Sequence, residues 1–239
     1  MAGRSSIPAA TSWTRSATSA APAASGTRTG RLPAPQAGLP LLQDLDCRRT
    51  LHRMHNSLRE QVRVQVEDRG RQPTAALVDS QSVRGAETVG RVSRGYDAGK
   101  RVNGRKRHIA VDTCGLLLAV LITGANVQDR DGARPLLRAL HACFPGIRLV
   151  WADTGYTGTL VDWAATRLAL TVRIVAKLAG QTTFVVLHRR WCVERTFSWI
   201  NRCRRTVRDD ERLPAHHAAM VQWAMIIVMT RRLARHQHT

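Results

Sequence analysis

Three short apolar runs, residues 74–78, 147–152 and 170–176, constrain this chain more than any other feature. Breakers and turn formers bound them, RGRQP before the first and Pro145-Gly146 before the second. Each run is too short for a helix, so all three read as buried strands. Segments with helical spacing separate them. Ala133, Leu136, Leu137, Leu140 and Phe144 recur at helical intervals after a start that carries Asp129 and Asp131, both read as helix caps. Residues 160–168 form a second helical stretch. Two more strand-like runs, residues 105–112 and 116–123, are joined by Thr113-Cys114-Gly115, a link suited to an antiparallel hairpin. One strand, a hairpin, then helices alternating with strands is the order that a mixed sheet with helices on both faces produces. The expected class is α/β.

The remaining segments are placed around that frame. Leu51, Met54, Leu58, Val62 and Val66 repeat at helical intervals over residues 51–67. Residues 80–104 hold Gly85, Gly90, Gly95, Gly99 and an Asn103-Gly104 turn signal with little apolar patterning, so they read as a long loop. Residues 213–235 make a closing apolar helix with Met220, Trp223, Ala224 and Ile227 on one face. Residues 1–49 differ in kind, because Ala, Ser, Thr, Pro, Gly and Arg dominate and no acid precedes Asp44. Such a segment cannot bury enough apolar surface to offset its ordering entropy and is expected to stay unpacked. The chain therefore divides into a low-complexity segment, 1–49, and a folded domain, 50–239.

A net charge of +20 and a pI near 11.6 point to a polyanionic partner, with nucleic acid the default. Arginine supplies nearly all of the positive charge, lysine occurring only at 100, 106 and 177, and the base composition of a gene can produce the same skew. The cysteines at 47, 114, 143, 192 and 203 show no CxxC spacing, so neither a zinc site nor a disulfide framework is suggested, which fits a reducing cytoplasm. No apolar run is long enough to span a bilayer.

Chemistry is carried by acids. Asp79 and Asp153 each follow an apolar strand, where such a sheet opens and ligands bind. Glu194 is the one acid among seven arginines in residues 187–208. That stretch reads as a helix with Val193, Phe197, Ile200 and Cys203 on one face and Arg190, Glu194, Ser198, Asn201, Arg205 and Arg208 on another. Singly, each acid has a plain role: Asp79 and Asp153 as caps or turn formers, Glu194 in a surface pair with Arg190 worth roughly a few tenths of a kcal/mol. Together they suggest more. Three converging carboxylates repel one another unless a hard cation neutralises them, and Mg²⁺, with Mn²⁺ as substitute, takes oxygen ligands by preference. Two such ions about 3.5–4 Å apart can activate a water or a 3′-hydroxyl on one side of a phosphodiester and stabilise the leaving oxygen on the other. No protein nucleophile is then required, and the cysteines and serines here show no partner arrangement suggesting a triad.

The segments LVDSQSV, GRKRHIAVDTCGLLLAVLITGANVQDRDGA, VWADTGYTG and RRWCVERTFSWINRCRR, in that order, resemble the catalytic region of bacterial insertion-sequence transposases of the DDE type, over about Leu51 to Arg212. The resemblance implies a ribonuclease-H-like core in which Asp79, Asp153 and Glu194 form the catalytic triad and hold two Mg²⁺ ions. It further implies double-stranded DNA as substrate, both element ends and target, a homodimer on that DNA, and a nucleoid-associated place in the cytoplasm. The family's tyrosine-x2-arginine-x3-glutamate-x6-lysine signature puts its arginine on Arg190, while Leu187 stands for the tyrosine and Asn201 for the lysine. Arg202 and Arg205 lie close enough to serve as substitute phosphate ligands. Residues 1–49 do not resemble the family's Trp- and Leu-rich N-terminal domain, which suggests a shifted reading frame or misassigned start, with the frame regained near Leu51.

Further DNA contacts are expected from Arg105, Lys106 and Arg107 on the hairpin, against the alternative of a solvated charged face. Tyr156 is a candidate for base stacking, whereas Trp191 reads as core. Two rivals stand beside a transposase. One is a remnant that binds DNA and modulates an intact transposase without cutting. The other is a general ribonuclease-H-like nuclease whose cleavage ignores end sequence.

Overall fold

A computed structural model describes residues 50–175 and 188–238, with backbone alone for residues 188–190. Helix α1 (Thr50–Gln61) runs into a π-helical turn (Val62–Val66). Strands β1 (Ala75–Arg84), β2 (Gly95–Asp97), β3 (Val102–Asp112) and β4 (Leu117–Gly124) follow. Next come α2 (Asp129–Cys143), β5 (Leu149–Ala152), α3 (Thr159–Leu168) and β6 (Thr171–Ile174). Helices α4 (His188–Asn201), α5 (Arg204–Val207) and α6 (Pro214–Gln237) complete the described chain. Among the described residues no helix is long and apolar enough to cross a membrane.

Strand β3 is the centre of an antiparallel half, paired with β1 on one side and with β4 on the other. Strand β2 pairs with the start of β3, while β5 adds to β1 in parallel and β6 to β5 in parallel. This is the mixed, helix-flanked α/β sheet expected of a ribonuclease-H-like core.

Alternation along the strands splits the core in two, as the period of two requires. Leu77, Ile109, Val111, Leu117 and Trp151 face α1, α4 and α6, meeting Val193, Phe197, Ile200, Val221, Met225 and Met229. Ala76, Val78, Ala110, Leu118, Val150 and Ala152 face α2 and α3, meeting Leu136, Leu137, Leu140 and Leu160. The hairpin forms where expected, with Gly115 in the left-handed region (φ 80°) of its turn. The buried Asp112 carboxylate ties that turn down, accepting the amides of Cys114 and Leu116 at 2.9 Å each while pairing with Arg63.

Four expectations need correction. Residues 80–104 are not one long loop: β1 continues through Arg84, its residues Ser80–Arg84 pairing with His108–Gly104, and β2 lies within the same stretch. Gly104 sits inside β3 rather than in a turn, because a Cβ there would stand 2.0 Å from the Val83 carbonyl oxygen and 2.4 Å from the Gly85 nitrogen. The stretch 187–208 is not one helix. α4 ends at Asn201, Cys203 is extended, and Thr206 Oγ1 donates to the carbonyls of Ile200 and, at 2.8 Å, Cys203. Finally, α6 buries His217, Val221, Ala224, Met225, Met229 and Leu233, so Trp223 and Ile227 face outward, 46% and 42% exposed.

Replacing Gly104 by Ala forces the β1 and β3 backbones apart, an overpacking that costs about 1–3 kcal/mol. Urea denaturation of Gly104→Ala should give a lower midpoint with an unchanged slope; a midpoint equal to that of the wild type would show that the two strands do not need this close approach.

Candidate active site

Continuing the parallel register of β1 and β5 two residues past Leu77 and Trp151 brings Asp79 level with Asp153 on neighbouring strands. Adjacent strands lie about 4.8 Å apart, and the alternation that puts Leu77 and Trp151 on one face turns both acids toward α4. Asp79 thus lies in mid-strand and Asp153 just beyond its strand, where it accepts the Gly155 amide at 2.9 Å. Helix α4 packs its Cys192, Val193, Phe197 and Ile200 side into the core. Glu194, beside Val193 on this helix, borders the same cleft as the two aspartates, so that Asp79, Asp153 and Glu194 line it with Leu77, Val78, Trp151, Ala152, Val175 and Val193. The space between them is about 20 Å³, room for a water-sized occupant.

Electrostatics single out Asp79. Its carboxyl is pushed up to about 7, by burial first and then by the charges of Asp153 and Asp129, against the Ser80 amide and the Lys100 ammonium, which favour the ionised form. An ionised carboxylate penalised in this way is one that a hard dication would relieve. The donor set, carboxylate oxygens alone, fits Mg²⁺ or Mn²⁺. Among the described residues, however, no group of three or more His, Cys, Asp or Glu side chains is drawn close enough to hold an ion unaided. The three acids border a cleft and do not form a closed cage. Mg²⁺ is commonly bound this way, through one or two carboxylates completed by waters and substrate phosphate.

A second tier of residues holds the cleft from beneath. Asp129, expected to cap α2, is not the cap: Gln128 occupies that position without a side-chain bond. The Asp129 carboxylate instead accepts from Ser80 Oγ at 2.7 Å and from Lys106 Nζ at 2.9 Å, tying α2 to the strand that carries Asp79. These bonds overcome burial and hold its carboxyl below the usual carboxylate value. Tyr156, expected to stack on bases, is instead 1% exposed. Burial and the charges of Asp79, Asp129 and Asp153 raise its hydroxyl well above the ordinary tyrosine value, against a hydrogen bond with Ser80. Ser80, Asp129 and Lys100 were missed as contributors because nothing local shows that the start of α2 and the β2–β3 turn return to β1.

Arg105, Lys106 and Arg107, expected to contact phosphate, are buried. Arg105 donates to Asp209 Oδ2 (2.9 Å), to the carbonyls of Glu211 and Arg212 (2.8 Å each) and to Ser93 Oγ (2.6 Å). Lys106 also reaches the Val127 carbonyl at 2.8 Å. Arg107 donates to Gln81 Oε1 (2.6 Å), to the Thr206 carbonyl (3.0 Å) and to Asn201 Oδ1. Asn201, standing where the signature has lysine, is thereby tied to β3. Arg205 and Arg202 are exposed, the former 3.8 Å from Glu211 on the separate helix α5. The side chain of Arg190, like Leu187, lies outside the described residues. Trp191 is 41% exposed and carries the Arg195 guanidinium 4.6 Å from its ring, so it is not core.

Residues 70–229 match the family described as the transposase DDE domain, and the chain belongs to that family. Over 144 residues it is 32% identical to a Burkholderia cepacia protein named as a transposase for insertion sequence element IS402. That match takes in 55% of this chain and 65% of the relative's length. Among solved structures, the catalytic core domain of BIV integrase is similar with a TM-score of 0.40 and 11% identity, covering 64% of this chain and 81% of that one. The catalytic domain of Mos1 mariner transposase is similar with a TM-score of 0.38 and 12% identity, covering 79% of this chain and 92% of that one.

Asp209 anchors the segment after α5, and its Oδ1 lies 3.1 Å from His217 Nδ1. Burial alone would raise its carboxyl, but His217, the Glu211 amide and Arg105 hold it below the usual carboxylate range. A depressed acid adds stability that is fully present above its unfolded value, about 3.9, and is lost as pH falls through the lower folded value. Asp209→Asn should therefore cost about 3–5 kcal/mol at neutral pH and flatten the acid limb of the stability curve below about pH 4. An unchanged acid limb in denaturation measured across pH would contradict this.

Proposed function

We propose that this chain is a DNA transposase that cleaves strands at the ends of an insertion sequence in a metal-dependent reaction and transfers them into target DNA, with residues 50–239 as its catalytic domain. The observation supporting this reading is the meeting of Asp79, Asp153 and Glu194, from a strand, a strand end and a helix, at one cleft. Divalent cations bound by these carboxylates, Mg²⁺ with Mn²⁺ as substitute, would supply positive charge to the phosphate and acidity to the attacking hydroxyl.

The protein's own part is placement. In the first step a water oxygen bonds to the scissile phosphorus, the bond from phosphorus to the 3′-oxygen breaks, and that oxygen takes up a proton to become a 3′-hydroxyl. In the second, the 3′-hydroxyl oxygen bonds to a target phosphorus and the target's own 3′-oxygen leaves with a proton, so the count of phosphodiester bonds is unchanged. The β1–β5 register, continued past Leu77 and Trp151, brings Asp79 on β1 level with Asp153 just beyond β5, which would give the two carboxylates a common orientation toward a phosphate. Glu194 approaches from the helix side. Arg190, one turn before it, and Arg205 would hold the strand's neighbouring phosphates. Two ends must be held together for transfer, so the working species on DNA is a dimer in this reading.

Asp79→Asn, Asp153→Asn and Glu194→Gln should each abolish Mg²⁺-dependent nicking of a duplex carrying the element's ends, a loss of at least about a thousandfold, while gel-shift binding of that duplex persists. Nicking at the wild-type rate in any of the three would refute the assignment. A wild type that binds and never nicks would instead be a DNA-binding remnant.

A further inference from the structure

Helix α6 leaves apolar surface uncovered while burying its other side. Trp223 and Ile227 are 46% and 42% exposed, and Ile227 lies in a groove of about 430 Å³ between α6 and the end of α4. Its floor is Trp199, Cys203, Ala224, Ile227 and Val228, and four arginines rim it: Arg202, Arg231, Arg232 and Arg235. The volume is within the range of ligand sites. This groove is separate from the acid cleft and shares no lining residue with it.

Two lining side chains, Trp199 and Arg232, are fixed in place. The Arg195 guanidinium stacks between two tryptophans one turn to either side on α4, 4.6 Å from the Trp191 ring and 4.7 Å from the Trp199 ring. Arg232 covers Trp199 in turn, 5.6 Å from its ring, and pairs with Glu67. Arg231 and Arg235 are one helical turn apart, about 6 Å along α6. Arginines set around an apolar floor offer planar forks to phosphate oxygens and flat contact to sugar and base.

We infer that this groove between α4 and α6 is a second binding surface for the phosphodiester backbone of duplex DNA, resting on the reading of the protein as a transposase. Charge selects the occupant. A second copy of the chain carries +20, and residues 1–43 contain no acid, so neither complements an arginine rim. Position agrees as well. Arg202 stands one residue past the end of α4 and eight after Glu194, about 12 Å of helical rise away, and a duplex carries one phosphate charge per about 1.7 Å of its axis. Phosphates of a duplex seated at the acid cleft therefore recur at a spacing fine enough to meet the groove.

The test is salt-dependent binding of the full chain to a labelled duplex, followed by fluorescence anisotropy without divalent ions so that nothing is cut. Relative to the wild type, Arg202→Gln/Arg231→Gln should lower the slope of log affinity against log salt by about two, one per phosphate contact. Arg167→Gln/Arg173→Gln, with the same charge loss at exposed positions on α3 and β6, should leave it unchanged. Ile227→Glu, which adds an acid to the groove without removing an arginine, should also weaken binding. Equal slopes for the two double variants, with melting curves intact, would overturn the inference even if the wild type nicks DNA. Absence of duplex binding by the wild type would overturn the transposase reading with it. Sedimentation showing that the groove variant turns a dimer into a monomer with its salt slope retained would make the groove a subunit contact and overturn the inference too.

Discussion

The parallel pairing of β1 with β5 sets the geometry of the acid cleft. Its register matches Leu77 with Trp151, and alternation turns those two side chains into the core beneath α4. Two residues further, the same face must present Asp79 and Asp153 side by side. A slip of one residue would turn every side chain of a strand to the opposite face, which would point one acid at α2 and leave the other alone. The packing of Leu77 and Trp151 in one core with Val193 and Phe197 thus shapes the cleft, because the same packing carries Glu194 to it on α4.

Beneath that register lies a layer of buried charge. The alternation that sorts apolar residues along β3 continues through Arg105, Lys106, Arg107 and His108, two of them turned toward the α5–α6 segment and two toward α2. Each positive group is met by acceptors from far along the chain: Asp209 and the Thr206 carbonyl on one side, Asp129 and the Val127 carbonyl on the other. Removing one partner of such a buried pair is costly, on the order of several kcal/mol. The layer therefore rigidifies the strand next to β1, and Ser80 couples it to the cleft through Asp129. Acids held on strands and helices backed by hydrogen-bonded supports keep their positions better than acids on loops.

Much of this was legible in the chain. The strand runs, the hairpin, the helix over residues 129–143 and the apolar side of α4 follow from periodicity, because each element buries one face and shows it in its own spacing. The apolar runs that precede Asp79 and Asp153 were readable too, although β1 does not end at Asp79 and continues through Arg84. What local pattern could not convey was long-range compensation. A run such as Arg105-Lys106-Arg107-His108 looks solvated until Asp129, Asn201 and Asp209 are brought to it. Ser80–Arg84 reads as loop because its polar residues are paired across β3 and not packed in oil. Likewise Gly104 carries the spelling of a turn, yet the constraint on it is the backbone of β1 crossing close by.

Cleft, charge layer and arginine-rimmed groove make a consistent whole: interior strands and a packed helix that place acids, in a chain of net charge +20. In the transposase reading, three carboxylates from separate elements hold divalent cations together. Electron paramagnetic resonance titration of Mn²⁺ into the full chain mixed with a DNA duplex decides this. Loss of any one of Asp79, Asp153 or Glu194 to its amide should weaken the same bound Mn²⁺ signal by about tenfold or more. A variant at any of the three that titrates like the wild type would show that this acid does not hold the ion.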